Sequence, residues 1–463
     1  MIASALVLDD CIAAIATAPG EAGLAVVRVS GSQALAVADR VFRGATSLTS
    51  AASHTLHHGW AKRGDRRLDE VVAAVFLAPR SYTREDVVEL SCHGGSQPAR
   101  VVLDALLAAG ARLAHPGEFT LRAFLNGRLD LAQAEAVADL IHADSAAAHE
   151  LALGQLAGAL SARLDRLCDA LTDAVAEVEA RVDFAEDVGG IEVPPHVVQA
   201  IESVDSELAT LLDGAAYARA VREGVRVPIV GRPNVGKSSL FNALLGEART
   251  IVSAEPGTTR DRVSEPIELA GVRVTLSDTA GLRVADSEIE AIGVARAREA
   301  LDHSALALWV VDASAPLTAE DHAVAVALAG KPVLVALNKH DQPARVNAAE
   351  VVGLLSRPTR PMAVSAARGD GIEALRAALA GMLGAGAERG ALAEAIANPR
   401  HVDALSRARA ALGRGRATAA AGEPGEIVAL ELREALAAIG EVLGRSVGDD
   451  LLERIFSRFC VGK

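Results

Sequence analysis

Aromatic side chains make up only 3% of the 463 residues, with two tryptophans and two tyrosines among them. Cores with so few rings must be packed from aliphatic groups, and the hydrophobic half of the composition is rich in alanine, which favours helices. Long apolar runs are also missing. Nothing approaches about 18 consecutive uncharged apolar residues, so no membrane-spanning helix is expected. The first residues lack a basic stretch followed by a long apolar core, so no signal peptide is expected. Cysteine is scarce, at Cys11, Cys92, Cys168 and Cys460, and none forms a C-x-x-C pair. That argues against a zinc site and for a reducing, cytoplasmic setting. Positive charge is in deficit: 46 Lys and Arg stand against 60 Asp and Glu, a net −14. Any contact with nucleic acid must therefore come from a local patch or through a partner.

The length exceeds what one hydrophobic core fills, and the pattern changes along the chain. Up to about residue 120, strand-like runs at Cys11–Thr17, Leu24–Ser30, Glu70–Ala78 and Asp86–Cys92 mix with a helical run at Pro98–Ala109, which reads as an α+β module. No proline occurs between Pro116 and Pro194, and leucine and alanine recur there at helical spacing, so long helices are predicted. Another helix is read over His196–Leu212. From Val225 to about Leu383 strands and helices alternate; Gly384–Gly390 reads as a soft linker, and the remainder is helical again. An α/β domain inserted into one helical domain explains this order, with three domains in series as the alternative.

Val225–Val230 is a short apolar strand. It leads into Gly231-Arg232-Pro233-Asn234-Val235-Gly236-Lys237-Ser238, which fits G-x-x-x-x-G-K-[ST], and a helix is read over Ser239–Leu245. Strand, glycine loop and helix together are the setting in which backbone N–H groups cradle phosphates at a helix N-terminus. Lys237 would reach the β- and γ-phosphates, and Ser238 would offer its hydroxyl to Mg²⁺. Asp278-Thr279-Ala280-Gly281 follows a second apolar strand, with Asp278 suited to the Mg²⁺ shell and the Gly281 N–H to the γ-phosphate. Val333–Leu337 runs into Asn338-Lys339-His340-Asp341. The Asp341 carboxylate can accept from guanine N1–H and N2–H₂, a donor pair that adenine lacks, so the order of motifs predicts GTP. Ser365, Ala366 and Ala367 end a further strand and are read as contacting the guanine oxygen. Thr259, in Gly257–Asp261, is the candidate switch threonine and a second Mg²⁺ ligand.

Leu282 stands where many GTPases carry a water-orienting glutamine. Glu288 and Glu290 are both candidates for that task. Positive charge at the transition state can come from Arg260, from Arg283, or from a monovalent cation held by the Asn234 side-chain oxygen. Two clusters read two ways. His54, His57 and His58 resemble metal ligands by type but read as a polar loop, and Arg400, Arg407, Arg409, Arg414 and Arg416 form either a tRNA-facing patch or a solvated helix face.

Three further stretches join these motifs: Pro116–Thr120 with Arg122–Asn126, Leu129–Glu135, and the ending Ile455–Lys463. With them the chain resembles the tRNA modification GTPase MnmE (TrmE) family over essentially its whole length. The resemblance implies an α+β folate-binding and dimerisation domain over 1–127 and a discontinuous helical domain over 128–222 and 385–463. It also implies an inserted Ras-like P-loop GTPase domain over 223–384. A homodimer is implied, acting on tRNA in a heterotetramer or larger complex with the flavoprotein MnmG, which would carry FAD. Together they would place an aminomethyl or carboxymethylaminomethyl group on the wobble uridine, with the carbon drawn from methylene-tetrahydrofolate.

Residue by residue, the resemblance makes Asn234 the side-chain ligand of K⁺, with Ser253, Glu255 and Thr258 in the loop that completes the site. Glu255 stands where the family often has an apolar residue, at a contact made by backbone. The resemblance selects Glu290 over Glu288 as the water-orienting group. It lines the folate site with Arg28, Glu89, Arg128 (commonly lysine) and Lys463, and it marks Cys460 without giving it a role. The competing expectations are a switch GTPase of ribosome assembly and a folate-dependent transferase acting alone. The absence of a flavin motif weighs against the transferase.

Overall fold

In the computed structural model the described residues are 10–183, 193–246, 264–278, 304, 306–357, 359–383 and 389–463. The chain divides into two compact units, one of Met1–Ile141, Gln155–Val204 and Arg407–Lys463, the other of His142–Gly154 and Asp205–Ser406.

The first unit opens with β1 (Ile12–Ile15), β2 (Leu24–Ser30), α1 (Ala34–Val41), β3 (Phe42–Gly44), β4 (Thr55–Arg63), β5 (Arg66–Phe76), β6 (Val87–His93), α2 (Ser96–Ala108), β7 (Arg112–Leu113) and α3 (Glu118–Leu125). Its seven strands run in the order β3-β4-β5-β6-β2-β1-β7. Every pairing is antiparallel except β1 with β7. The period of two decides which residue faces where. Val27 and Val29 of β2, and Val88 and Leu90 of β6, join the core formed with α1 and α2. Arg28 and Glu89, one position on, lie on the other face and directly oppose each other across β2 and β6. On that face Ile12 and Ala14 of β1 pack with Phe119 and Tyr82.

The sequence missed α1, β3 and β4. Strand β5 also begins four residues before the apolar run that announced it. Its polar start is carried by pairing: Arg63 opposes Arg66 across the tight turn at Gly64, which has φ +60°. His57 and His58 therefore lie on a strand and not in a loop. His58 Nε2 is 2.8 Å from Glu70 of the partner strand, and His57 Nε2 is 2.8 Å from the Thr55 hydroxyl. Among the described residues no three His, Cys, Asp or Glu side chains form a metal-ligating group.

Helices follow: α4 (Leu131–Ile141), α5 (Ala146–Leu156), α6 (Ala159–Asp183), α7 (Pro195–Asp213) and α8 (Ala215–Glu223). In α6, Leu160, Leu164, Leu167, Leu171, Ala174 and Val178 are buried at alternating four- and three-residue spacing, which makes one continuous apolar seam.

The second unit carries β8 (Val225–Val230), α9 (Lys237–Leu245), β9 (Ser264–Leu269), β10 (Val272–Asp278), β11 (Ala307–Asp312), α10 (Ala319–Ala327), β12 (Val333–Asn338), α11 (Ala348–Gly353), β13 (Met362–Ala363) and α12 (Ile372–Met382). The sheet order is β13-β12-β11-β8-β10-β9, parallel except for the β9–β10 hairpin. Strands β8, β11 and β12 are almost wholly buried, as expected of parallel strands covered on both faces. In such sheets ligands bind beyond the carboxyl ends of the strands.

Three further helices are α13 (Pro399–Ala420), α14 (Gly425–Leu443) and α15 (Asp449–Phe456), of which the residues from Arg407 onward belong to the first unit. On α14 the buried Val428, Leu432, Ala435, Ile439 and Val442 match the seam of α6, against which α14 packs. The basic run on α13 is half of an interhelical charge pattern: Arg407 pairs with Glu441 at 2.5 Å, and Arg414 with Glu431 and Glu434 at 2.7 and 2.8 Å. Among the described residues no helix is long and apolar enough to cross a membrane.

Candidate functional site

The loop after β8 turns sharply because three residues leave ordinary backbone space. Asn234 has φ +62°, Gly236 φ +96° and Gly231 φ +153°. A methyl group on Gly236 would stand 2.3 Å from Asn338 Nδ2, so glycine is required there by neighbour and by conformation alike. Because the glycine hands directly into the helix, α9 starts at Lys237, two residues earlier than the sequence suggested. Lys237 is 6% exposed, and its ammonium donates to the carbonyls of Gly231 and Arg232 at 2.7 and 2.8 Å. Ser238 and Ser239 follow on the first turn, and Val235 is fully buried under the loop.

This loop and the end of β12 are tied side chain to backbone. Buried Asn338 donates through Nδ2 to the Val235 carbonyl at 2.8 Å and accepts through Oδ1 from the Ala366 N–H at 3.0 Å. One amide thus fixes the spacing of three motifs. Lys339 donates to the Asn234 carbonyl at 2.9 Å and to Asp312 at 2.7 Å. Asp341 is exposed and accepts from the Ser365 hydroxyl at 2.7 Å. That hydrogen bond holds the Asp341 carboxyl below the ordinary aspartate value, so it is ionised and available to donors. Ala367 continues the same turn after Ser365.

Sequence reasoning missed three charged residues here. Asp312 ends β11 at the position directly opposite Asn338, takes Lys339 and lies 3.9 Å from Arg232. Burial alone would raise its carboxyl, but hydrogen bonds from Lys339 and Ser314 overrule that and lower it. Arg232 also pairs at 3.1 Å with Asp321, which is 1% exposed and closes the capping box of α10 with Thr318. A lone carboxylate ending an otherwise apolar strand was the available signal for Asp312.

Asp278 is the last residue of β10, in register with Ile229 of β8. Its side chain lies outside the described set, as do Ser253, Glu255, Thr258, Thr259, Arg260, Thr279, Ala280, Gly281, Leu282, Arg283, Glu288 and Glu290.

The second site lies on the face of the seven-stranded sheet turned away from α1 and α2. Arg28 Nε donates to Glu89 at 2.8 Å, and its guanidinium stacks 5.1 Å from the Tyr82 ring and 5.6 Å from the Phe119 ring. Its Nη1 donates to the carbonyl of Gly462, 434 residues away in the chain, at 3.4 Å. Gly462 has φ +100°, and a Cβ there would meet the Ile15 carbonyl at 2.3 Å, so the C-terminal tail lies tight against the end of β1. Lys463 follows; burial and the charge of Arg28 lower its ammonium from the usual lysine value. Arg128 also stacks on the Tyr82 ring, 4.7 Å from its centre, and its Nη1 donates to the Tyr82 carbonyl at 2.9 Å. The structure thus brings Arg28, Glu89, Arg128 and Lys463 around Tyr82, a residue the sequence did not single out. Cys460 is exposed, and its carbonyl accepts from the N–H groups of Gly117 and Lys463 at 3.4 and 3.3 Å. The other three cysteines are buried, which pushes the Cys11 thiol up to about 12 and the Cys92 thiol to about 11.

Beneath this face a charge network holds the frame. Arg122 of α3 is fully buried between Asp10, Glu85 and Glu118. Arg112 takes Asp10 and Glu118 as well, both at 2.7 Å. Burial would raise the Glu118 carboxyl, but the hydrogen bonds from Arg112, the His115 N–H and Arg122 hold it below the usual value.

Comparison with known proteins gives these sites a family. The model of the MnmE helical domain matches residues 131–460, and that of the GTP-binding protein TrmE N-terminus matches residues 11–128. The chain is 45% identical over 462 residues to the tRNA modification GTPase MnmE of Chloroflexus aurantiacus and 46% over 460 residues to that of Symbiobacterium thermophilum. Both alignments span 98% of this chain and all of the relative. The MnmE of Geobacter sulfurreducens is 44% identical with the same coverage. The chain belongs to the MnmE family. Its fold class is accordingly an N-terminal α+β domain, a helical domain and a P-loop GTPase domain; the loop site after β8 lies in the GTPase part and the second site in the α+β part.

Proposed function

We propose that this chain binds GTP and Mg²⁺, hydrolyses the nucleotide with K⁺ as activator, and works as a homodimer with a flavoprotein of the MnmG kind. Together they modify the wobble uridine of certain tRNAs in the cytoplasm. The observation that carries the nucleotide reading is the three-way tie of Asn338, which sets a phosphate loop and an ionised Asp341 at fixed distance. Lys237, now on two loop carbonyls, exchanges them for phosphate oxygens. Asp341 accepts from guanine while the Ser365 hydroxyl donates to its Oδ1. Ser238 and Thr259 supply hydroxyls to Mg²⁺ beside Asp278, and Thr279, Ala280 and Gly281 border the γ-phosphate.

Asn234, with Ser253, Glu255 and Thr258, holds K⁺, and Glu290 orients the attacking water. The left-handed backbone of Asn234, clamped by Lys339, suits a residue whose side chain must be presented in one pose.

The folate reading rests on charge. Around Tyr82 three cations, Arg28, Arg128 and Lys463, face one carboxylate, Glu89, and burial already disfavours the Lys463 ammonium. An anionic ligand relieves that excess, and Glu89 offers an acceptor to pterin N–H donors. A tetrahydrofolate derivative bound there supplies the one-carbon unit, and FAD resides on the flavoprotein. The four-part division at 1–127, 128–222, 223–384 and 385–463 is part of the same proposal.

Two measurements test it. GTP turnover of the purified chain is expected to rise at least several-fold when Na⁺ is replaced by K⁺. Nucleoside analysis of tRNA from a strain lacking the chain is expected to lose the wobble modification. Unchanged nucleosides would favour a switch role in ribosome assembly.

A further inference from the structure

Glu89 and Arg128 line a cavity of about 510 Å³ together with His54, Phe76, Arg80 and Arg84. The volume suits a small ligand. Arg80, Arg84 and Arg128 are all exposed, and among the described residues none of them is in an ion pair, in a chain whose formal charge is −14. The loop between β5 and β6 and the turn after α3 hold two of them in place. Arg84 Nη1 donates to the Asn126 carbonyl at 3.1 Å, and Asn126 Nδ2 donates back to the Thr83 carbonyl at 2.7 Å. Arg128 lies on Tyr82, as described. The Arg84 backbone is left-handed, with φ +60°. A guanidinium has five N–H donors in a fixed fork. Arg84 and Arg128 each spend one on a backbone carbonyl and keep the remainder for an anion.

We propose that Arg80 and Arg84 extend the folate site into a subsite for the γ-linked polyglutamate tail, with Arg128 between the two parts. This rests on the folate reading given above. Each added glutamate brings a carboxylate, and planar guanidinium groups match carboxylates in two-point fashion. The arginines converge on a cavity and do not form a stripe along a helix or sheet face, which favours a small polyanion over the backbone of a nucleic acid.

The test is equilibrium binding of tetrahydrofolate monoglutamate and pentaglutamate to the full chain and to the Arg80→Gln, Arg84→Gln double variant, with a thermal melt of each. Both substitutions are on the surface, and the melts are expected to coincide. Wild type is expected to bind the pentaglutamate on the order of tenfold more tightly than the monoglutamate. The double variant is expected to lose that preference and keep its monoglutamate affinity within about twofold. Equal affinities for the two ligands in wild type would overturn the subsite and leave the folate reading standing. Absence of saturable binding by either ligand would overturn both. If the double variant lost affinity for tRNA and kept the pentaglutamate preference, the arginines would be a nucleic-acid contact and the proposal would be wrong.

Discussion

In the six-stranded sheet the residues that converge come from three short stretches, 231–238, 338–341 and 365–367, each at the carboxyl end of a parallel strand. In the seven-stranded sheet they come from positions 28, 82, 89, 128 and 463, on two antiparallel strands, a loop, a turn and the chain's last residue. The first arrangement is a backbone device. Phosphate recognition needs inward N–H groups and glycines, so contiguous sequence carries it. The second is a side-chain device laid across a pleated face, where register and a returning tail, not spacing in sequence, bring the groups together. The two also differ in what fixes them. The side-chain amide of Asn338, beside a Lys339–Asp312–Arg232 bridge, holds the loop site, while a network of two arginines and three carboxylates centred on buried Arg122 and Glu118 underlies the pocket.

The largest expected effect probes that second scaffold. Arg122→Leu leaves Glu85 and a fully buried Glu118 short of a partner, and breaking such a network costs about 3–5 kcal/mol. Denaturant unfolding of the variant should show a loss of that size, while GTP affinity stays near wild type; a parallel fall in GTP affinity would erase the contrast between the sites. Next comes Gly236→Ala. The added methyl meets Asn338 Nδ2 at 2.3 Å in a backbone conformation that alanine resists. Strain plus a lost amide bond should weaken GTP by on the order of 100-fold in a titration. Unaltered affinity would show that Asn338 does not set the spacing of the loop.

The smallest effect concerns acid. Glu118 titrates lower in the folded chain than when unfolded, so its stabilisation is complete above the unfolded carboxyl value, about 4.3, and is lost as pH falls through the folded one. Melting temperature measured from pH 6 down to pH 3 should fall less steeply in Glu118→Gln than in wild type. Equal slopes would remove Glu118 from the pH response.

The legibility of the sequence follows the same divide. Strands β2, β8 and β12 were read within a residue or two, because apolar or alternating runs ended at glycine or polar residues. Strand β4 was not, since Thr55–Arg63 places histidines, a glycine and a lysine on a pleat whose order comes from pairing with β5. Within the nucleotide cleft, the motif residues could be named in advance, but the Arg232–Asp312–Lys339 bridge could not, because its members are 80 and 27 residues apart and meet only through strand order. Of the pocket residues, Arg28 and Glu89 had no local signal at all. Only the resemblance pointed to them, and Tyr82, between the two arginines, went unremarked. The arginines of α13 carried a signal that misled in part: composition registered the basic run, and the acids that answer Arg407 and Arg414 lie on the next helix.

The claim on which the rest depends is that Asp341 reads a purine whose phosphates lie on the Gly231–Ser238 loop. Competition binding tests it directly, with labelled GTP and Mg²⁺ on the purified chain and on Asp341→Asn. Wild type should bind saturably, yield to unlabelled GTP and ignore ATP, whereas Asp341→Asn should lose guanine affinity by on the order of 100-fold and accept xanthosine triphosphate instead. Displacement by ATP as readily as by GTP, or an Asp341→Asn variant that still prefers guanine, would contradict it.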